Sequence, residues 1–150
     1  MEKIHLTTFI NAPREKVWDV MLSDATYRDW TSVFCPGSYY VGTWEEGSEM
    51  RFLGPSMTGE GEGGLVSRVA ENRKPEFISI EHLGAIKDGV EERSSETMGA
   101  WAGAHENYTF IDKDGGTELT IDMDSLAEEK PSMEEMWQKA LARIKELAEG

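Results

Sequence analysis

Ile4-His5-Leu6-Thr7-Thr8-Phe9-Ile10-Asn11-Ala12-Pro13-Arg14-Glu15-Lys16-Val17-Trp18 is the stretch from which the fold can be read. Ile4, Leu6, Thr8 and Ile10 recur at a period of two, which predicts a strand with one covered face. The strand stops at Asn11-Ala12-Pro13. A proline in the first helical turn gives up an N–H that would have no partner there, so a helix is expected to begin at once. Val17, Trp18 and Met21 then recur at helical spacing through Arg14 to Leu22, and a second short turn closes on Trp30.

The rest of the chain reads as a run of strands closed by one long helix. Cys35-Pro36-Gly37 marks a turn before a strand pattern over Ser38 to Trp44. Glu46-Gly47-Ser48 reads as a hairpin turn, returning along Glu49 to Leu53 with Met50 and Phe52 on one face. The glycine-rich segment Gly54 to Gly64 reads as a loop or irregular strand entry. Strands are expected over Leu65 to Ala70 and, after Arg73-Lys74-Pro75, over Phe77 to Leu83. Residues Gly84 to Gly99 are polar and unassigned apart from an Asp88-Gly89 turn. Trp101 to Ile111 is the next strand, and Asp112 to Gly116 turns it into the last. There Leu119, Ile121 and Met123 alternate with Glu118, Thr120, Asp122 and Asp124, which predicts one dry and one wet face.

Pro131, and Ser132 followed by Glu135, predict a capped start for the final helix. Met133, Met136, Trp137, Ala140, Leu141, Ile144 and Leu147 form its apolar stripe. Such a helix needs an apolar surface of matching size, and the strands' inner faces supply it. The expected architecture is α+β: a curved antiparallel sheet wrapped around a long C-terminal helix, with two short helices after the first strand.

Composition narrows the function classes. At 150 residues the chain reads as one domain, 1–150, burying roughly 68 to 70% of its unfolded surface without needing a disulfide or metal. Cys35 is the single cysteine and reads as an ordinary half-buried thiol; no His/Cys cluster shows zinc spacing, so no metal or other cofactor is expected. Met1 leads directly into Glu2-Lys3-Ile4 without a leader pattern, and no apolar run approaches the roughly 20 residues of a membrane span, so the expected location is the reducing cytoplasm. The 29 acidic against 15 basic side chains give a formal net charge of -14. Without a basic stripe, nucleic acid is excluded as a partner, and the acidic pairs read as solvated faces.

Several segments carry a resemblance to a known family. They are Ile10-Asn11-Ala12-Pro13 through Val17-Trp18, Trp30-Thr31, His105 to Phe110, Gly115 to Thr120, and Trp137 through Leu147. Together they resemble the START-like, or SRPBCC, superfamily with its helix-grip fold, and within it the branch similar to the C-terminal domain of the heat-shock-protein-ninety ATPase activator. The resemblance implies a cavity between the long helix and the concave sheet, used in that superfamily for lipids, sterols, plant hormones or polyketides, and in some members for cyclase chemistry.

The residues support such a cavity independently. Met50, Phe52, Ile78, Ile80, Tyr108, Phe110, Met123, Met133, Met136, Trp137 and Ala140 would form an apolar inner surface with adaptable thioethers, and Phe34, Tyr40, Trp44 and Trp101 border loops at its open end. A filled core has the same pattern in sequence. Two polar residues fall on this inner face by period: Glu106 with Tyr108 and Phe110, and His82 with Ile78 and Ile80. A buried carboxylate needs a partner, and His82 qualifies if the two strands are neighbours. The leading function is binding of a hydrophobic small molecule, by a monomer or homodimer. The alternatives are a chaperone-associated interaction module, or a polyketide cyclase-like enzyme using Glu106 or His82 as general acid or base. No nucleophile triad, phosphate loop or dinucleotide fingerprint is present.

Overall fold

Alternation along the first strand, β1 (Glu2–Ile10), is carried into three dimensions: Ile4 and Ile10 are enclosed while Lys3 and Phe9 face outward. In the computed structural model, residues 2–55, 62–93, 103–125 and 127–150 are described. Pro13 directly precedes α1 (Arg14–Leu22); α2 (Asp24–Trp30) follows after Ser23, then a 3-10 turn over Thr31–Val33. The strands β2 (Tyr39–Val41), β3 (Glu49–Pro55), β4 (Glu62–Arg73), β5 (Phe77–Lys87), β6 (Val90–Glu92), β7 (His105–Lys113) and β8 (Gly116–Ser125) lead to α3 (Lys130–Glu149).

The strands form one sheet in the order β1-β8-β7-β5-β4-β3-β2, with β6 pairing to β5. The pairings are antiparallel. The sheet curves around α3, which is the expected helix-grip fold. Asp88-Gly89 and Asp114-Gly115 make two-residue hairpin turns with positive φ at both positions, the backbone that Asp-Gly tolerates best. The register slips between Val66 and Ser67 and between Val69 and Glu71. Such bulges bend a strand and re-aim its side chains, here beside His82.

The two halves of α3 do different things. Ala140, Leu141, Ile144 and Ala148 are buried against the core, and the helix end is tied to β1: Lys145 Nζ donates to the Phe9 carbonyl at 3.1 Å, and the Asn11 amide donates to Glu149 at 2.8 Å. The first half, with Met133, Met136 and Trp137, is left to border the interior space described below. The corner between β1 and α1 is held from below, where the buried Thr117 hydroxyl donates to the Ala12 carbonyl at 2.7 Å. Thr117→Val keeps the shape but orphans that carbonyl; we expect a loss of about 1–3 kcal/mol in urea unfolding, and an unchanged midpoint would show the corner to be held otherwise.

Several expectations are corrected. The capping box does not form: Glu129 is the N-cap of α3, no side chain caps it, and Pro131 in the first turn leaves Ser132 already inside the helix. The outer face of β8 is wet only in part: Glu118 and Asp122 keep some exposure, whereas Thr120 and Asp124 are buried. β8 lies between β1 and β7, and its short outward side chains are covered by theirs: Thr7 meets Thr120 at 3.2 Å, Lys3 pairs with Asp124, and the His105 amide donates to Asp124 at 3.0 Å. β2 is three residues long, because Gly42 takes a φ of 120° and leads the chain away. β4 and β5 outrun their expected bounds, β5 because β6 folds back on its end and gives Ala85–Lys87 a partner. β7 starts at His105, inside the expected Trp101–Ile111. Trp101, residues 94–99 and residues 56–61 lie outside the described residues.

Candidate functional site

The last carbonyls of α1 would be orphaned where the helix ends, and aromatic side chains satisfy them. Trp30 Nε1 donates to the Met21 carbonyl at 3.1 Å; Tyr40 Oη and Trp44 Nε1 donate to that of Leu22 at 2.7 and 2.9 Å. With their polar tips engaged, these rings offer only apolar faces elsewhere. Tyr27 packs against Tyr40 and Trp30 at centroid distances of 5.0 and 5.5 Å, and Trp30 and Phe34 pack against Trp137 at 5.6 and 5.1 Å. Trp137 in turn donates its indole N–H to Met123 Sδ at 3.0 Å.

These rings border a half-open chamber of about 210 Å³ between α3, the short helices and the concave sheet. It continues into an outer groove of about 690 Å³, and Tyr27, Phe34, Ser38, Phe52, Leu65 and Met133 line both.

One pole of the chamber is polar. Pairing of β5 with β7 sets Ile80 opposite Glu106, and pairing of β4 with β5 sets Ser67 opposite His82. The result is a chain of contacts: Ser67 Oγ lies 2.8 Å from His82 Nδ1, His82 Nε2 lies 3.2 Å from Glu106 Oε1, and Tyr108 Oη donates to Glu106 Oε2 at 2.7 Å. An ionised carboxylate only accepts, so His82 donates to it through Nε2. Burial pushes the Glu106 carboxyl up, but the hydrogen bond and charge of His82, joined by the Tyr108 hydroxyl, outweigh it and hold the group below its ordinary value. Burial, reinforced by the Glu106 charge, pushes Tyr108 well above the usual phenol range. Tyr27 is raised as well, first by burial and then by the charge of Glu106. Both phenols therefore stay neutral donors.

Tyr27 differs from Tyr108 in one respect. It is 9% exposed and lines the chamber, yet among the described residues nothing hydrogen-bonds its hydroxyl. Tyr108→Phe removes a hydrogen bond to a charged group and should cost about 1.5–3 kcal/mol. Tyr27→Phe removes an unsatisfied hydroxyl and should leave stability unchanged or raise it by up to about 1 kcal/mol. Paired urea titrations of the two variants test this; equal losses would mean that Tyr27 is held like Tyr108.

Of the residues singled out in the sequence, Phe34, Trp44, Phe52, Ile80, His82, Glu106, Tyr108, Met123, Met133 and Trp137 line the chamber. Met136 lines the outer groove. Met50, Ile78, Phe110 and Ala140 do not line it: they are packed solid in the core, Phe110 against Trp18 at 5.2 Å. Tyr40 sits behind Tyr27 with its hydroxyl on the Leu22 carbonyl. Trp101 lies outside the described residues. Sequence reasoning passed over Met21, Leu22, Tyr27, Trp30, Thr31, Ser38 and Leu65 as lining residues. Tyr27 could have been found, since it stands three residues before Trp30 on one helical face. His5 faces outward, and His105 is half-buried with Nδ1 3.2 Å from Ser79 Oγ. Among the described residues no group of three or more His, Cys, Asp or Glu side chains is placed to hold a metal ion, and no helix is long and apolar enough to cross a membrane.

A family model described as Activator of Hsp90 ATPase homolog 1-like protein matches residues 11–149. The chain belongs to this family. Solved structures agree on the fold. The Aha1 dimer from Colwellia psychrerythraea is similar with a TM-score of 0.72 at 16% identity, over 99% of this chain and 97% of that one. Protein CV1439 from Chromobacterium violaceum matches with a TM-score of 0.68 at 17% identity, over 100% and 99%. DynU16, a protein of the dynemicin biosynthetic locus, matches with a TM-score of 0.68 at 13% identity, over 97% of this chain and 46% of that one. No curated protein matches. At these identities the structural likeness shows the family fold and leaves function to the site itself.

Proposed function

We propose that the protein binds a hydrophobic, ring-bearing small molecule in the chamber between the sheet and α3. The observation that carries this reading is the half-open, aromatic-lined chamber of about 210 Å³, a concave and mostly apolar space with a few polar groups at one pole, as ligand sites have. An engineered apolar cavity of about 150 Å³ takes up benzene, whereas drug-sized ligands occupy about 300 Å³ or more. The chamber therefore suits one ring or two fused rings, with any apolar remainder lying along the outer groove. A whole sterol or a two-chain lipid exceeds it.

Thermal shift and native mass spectrometry against compact aromatic compounds and saturated long-chain compounds test this reading. Ligand at about a hundred times its Kd stabilises by about 2.7 kcal/mol, which for a chain of this size raises Tm by about 5–10 °C. Leu65 lines both chamber and groove, so Leu65→Trp should obstruct the passage and remove the shift. A panel in which aromatic compounds give no shift and no bound mass would defeat the proposal.

The Glu106–His82 pair gives a second reading some support. A carboxylate hydrogen-bonded to an imidazole at the end of an apolar chamber is placed for general acid–base work of the cyclase kind. Loss of turnover in Glu106→Gln with retained ligand binding would favour it; equal turnover would remove it.

A further inference from the structure

Resting on the proposed binding function, the arrangement at the chamber's polar pole specifies the ligand further: we infer that the site selects a neutral aromatic compound bearing a hydroxyl group, a phenol or enol, which donates to Glu106 and accepts from Tyr27. Glu106 supplies the acceptor. Each carboxylate oxygen has two lone-pair sites, and His82 and Tyr108 take one on each oxygen, which leaves acceptor capacity on both. The side chain keeps 20% exposure and lines the chamber, so this capacity faces the ligand space.

Tyr27 supplies the donor. Its hydroxyl has no partner among the described residues, the residue is 9% exposed and lines the same chamber as Glu106, and the charge of Glu106 acts on it. A donor in a chamber wall with no protein partner is free to pair with a ligand oxygen.

A hydroxyl uses both groups at once. A ketone or ether oxygen can accept from Tyr27 but sets its lone pairs against the carboxylate. A ligand carboxylate adds like-charge repulsion in a desolvated space. Among the described residues no lysine or arginine lines the chamber to offset that repulsion. The walls complete the selection: Trp30, Trp137 and Phe34 present ring edges and faces, which favour a flat aromatic body over a saturated chain.

Three probes of one shape separate this inference from the binding function beneath it: naphthalene, 2-naphthol and 2-naphthoate, titrated calorimetrically into the full chain at pH 7. We expect 2-naphthol to bind roughly ten- to a hundredfold more tightly than naphthalene, the range for one hydrogen bond to a charged group, and 2-naphthoate to bind weakest. In Glu106→Gln the preference for 2-naphthol should fall toward unity, and 2-naphthoate should gain relative to the wild type. Tyr27→Phe, which leaves the Glu106 contacts intact, should also reduce the 2-naphthol preference, so the test does not depend on Glu106→Gln folding. Equal binding of naphthalene and 2-naphthol would overturn the hydroxyl selection while the binding function stands. Tightest binding of 2-naphthoate would overturn it too. No binding of either neutral probe would remove both.

Discussion

Trp137→Ala is expected to cost about 3–5 kcal/mol, the range for deleting a buried indole, and to lower Tm by about 6–20 °C for a chain of this length. The size of the effect follows from where the ring stands. Trp137 is buried, with ring centroids of Phe34, Trp30 and Tyr108 at 5.1, 5.6 and 5.9 Å, and its N–H is engaged by Met123 Sδ. Deleting a side chain costs least when its neighbours can collapse into the space. Here the space opens onto an existing chamber whose walls are rings already fixed by α1 carbonyls, so little collapse is available. The first half of α3 would then lose its hold on the short helices while the second half stays tied to β1. Amide exchange should therefore quicken first in Lys130 to Trp137 and later in Ala140 to Glu149. Trp137→Phe keeps a ring against Phe34 and Trp30 and should recover most of the loss. An unchanged Tm in Trp137→Ala would show that the chamber wall does not stabilise the fold.

The contrast between the two halves of α3 also shows what the sequence could reveal. Its apolar stripe was legible because packed and chamber-facing residues obey the same helical period, and for that reason the stripe could not tell Ala140 from Met136. The same limit applies to the sheet. Ile78, Ile80 and His82 share a face by alternation, yet Ile78 is sealed and the other two border open space. The difference is set by how far α1 and α2 reach across the sheet, a tertiary quantity without a local signature. Asn11-Ala12-Pro13 and the two Asp-Gly turns were readable because their chemistry is local. The Ser132/Glu135 pattern misled because Pro131 moves the helix start upstream of it. Glu106 was conspicuous as a charge at an inward position, and His82 could be named as its partner only on condition that the two strands are neighbours, which the pairing of β5 with β7 supplies. Tyr27 shares a helical face with Trp30, but that spacing marks only an inward ring; the absence of a partner for its hydroxyl among the described residues is a tertiary fact with no local signal.

Breaking the Glu106–His82 pair from either side should destabilise at neutral pH and less in acid, and a double-mutant cycle can read the coupling between the two. In the wild type Glu106 is held below its ordinary value of 4.5, against the upward push of burial, by His82 and Tyr108. A carboxyl lowered in this way contributes stability that is present above about pH 4.5 and lost as pH falls through the folded-state value. Glu106→Gln should therefore destabilise at pH 7, by about 1.5–3 kcal/mol for a hydrogen-bonded buried charge, and by less at pH 3.5. His82→Leu removes the main opposition to burial and leaves Tyr108 alone on the carboxylate, so the Glu106 value should rise above 4.5. The sign then reverses: the contribution is present below the unfolded-state value and lost as pH rises through the folded one. Leaving a buried carboxylate without its partner costs about 3–5 kcal/mol, so His82→Leu should be among the most damaging substitutions at pH 7 and much milder near pH 4. Adding Glu106→Gln to His82→Leu should then restore stability at pH 7, whereas the same change harms the wild type. Urea midpoints of the four proteins at pH 7 and pH 4 give the coupling directly. Additive losses at both pH values would mean that the carboxylate and the imidazole do not act as a pair. The hydrogen bond at 3.2 Å would then not be what keeps Glu106 ionised and facing the chamber.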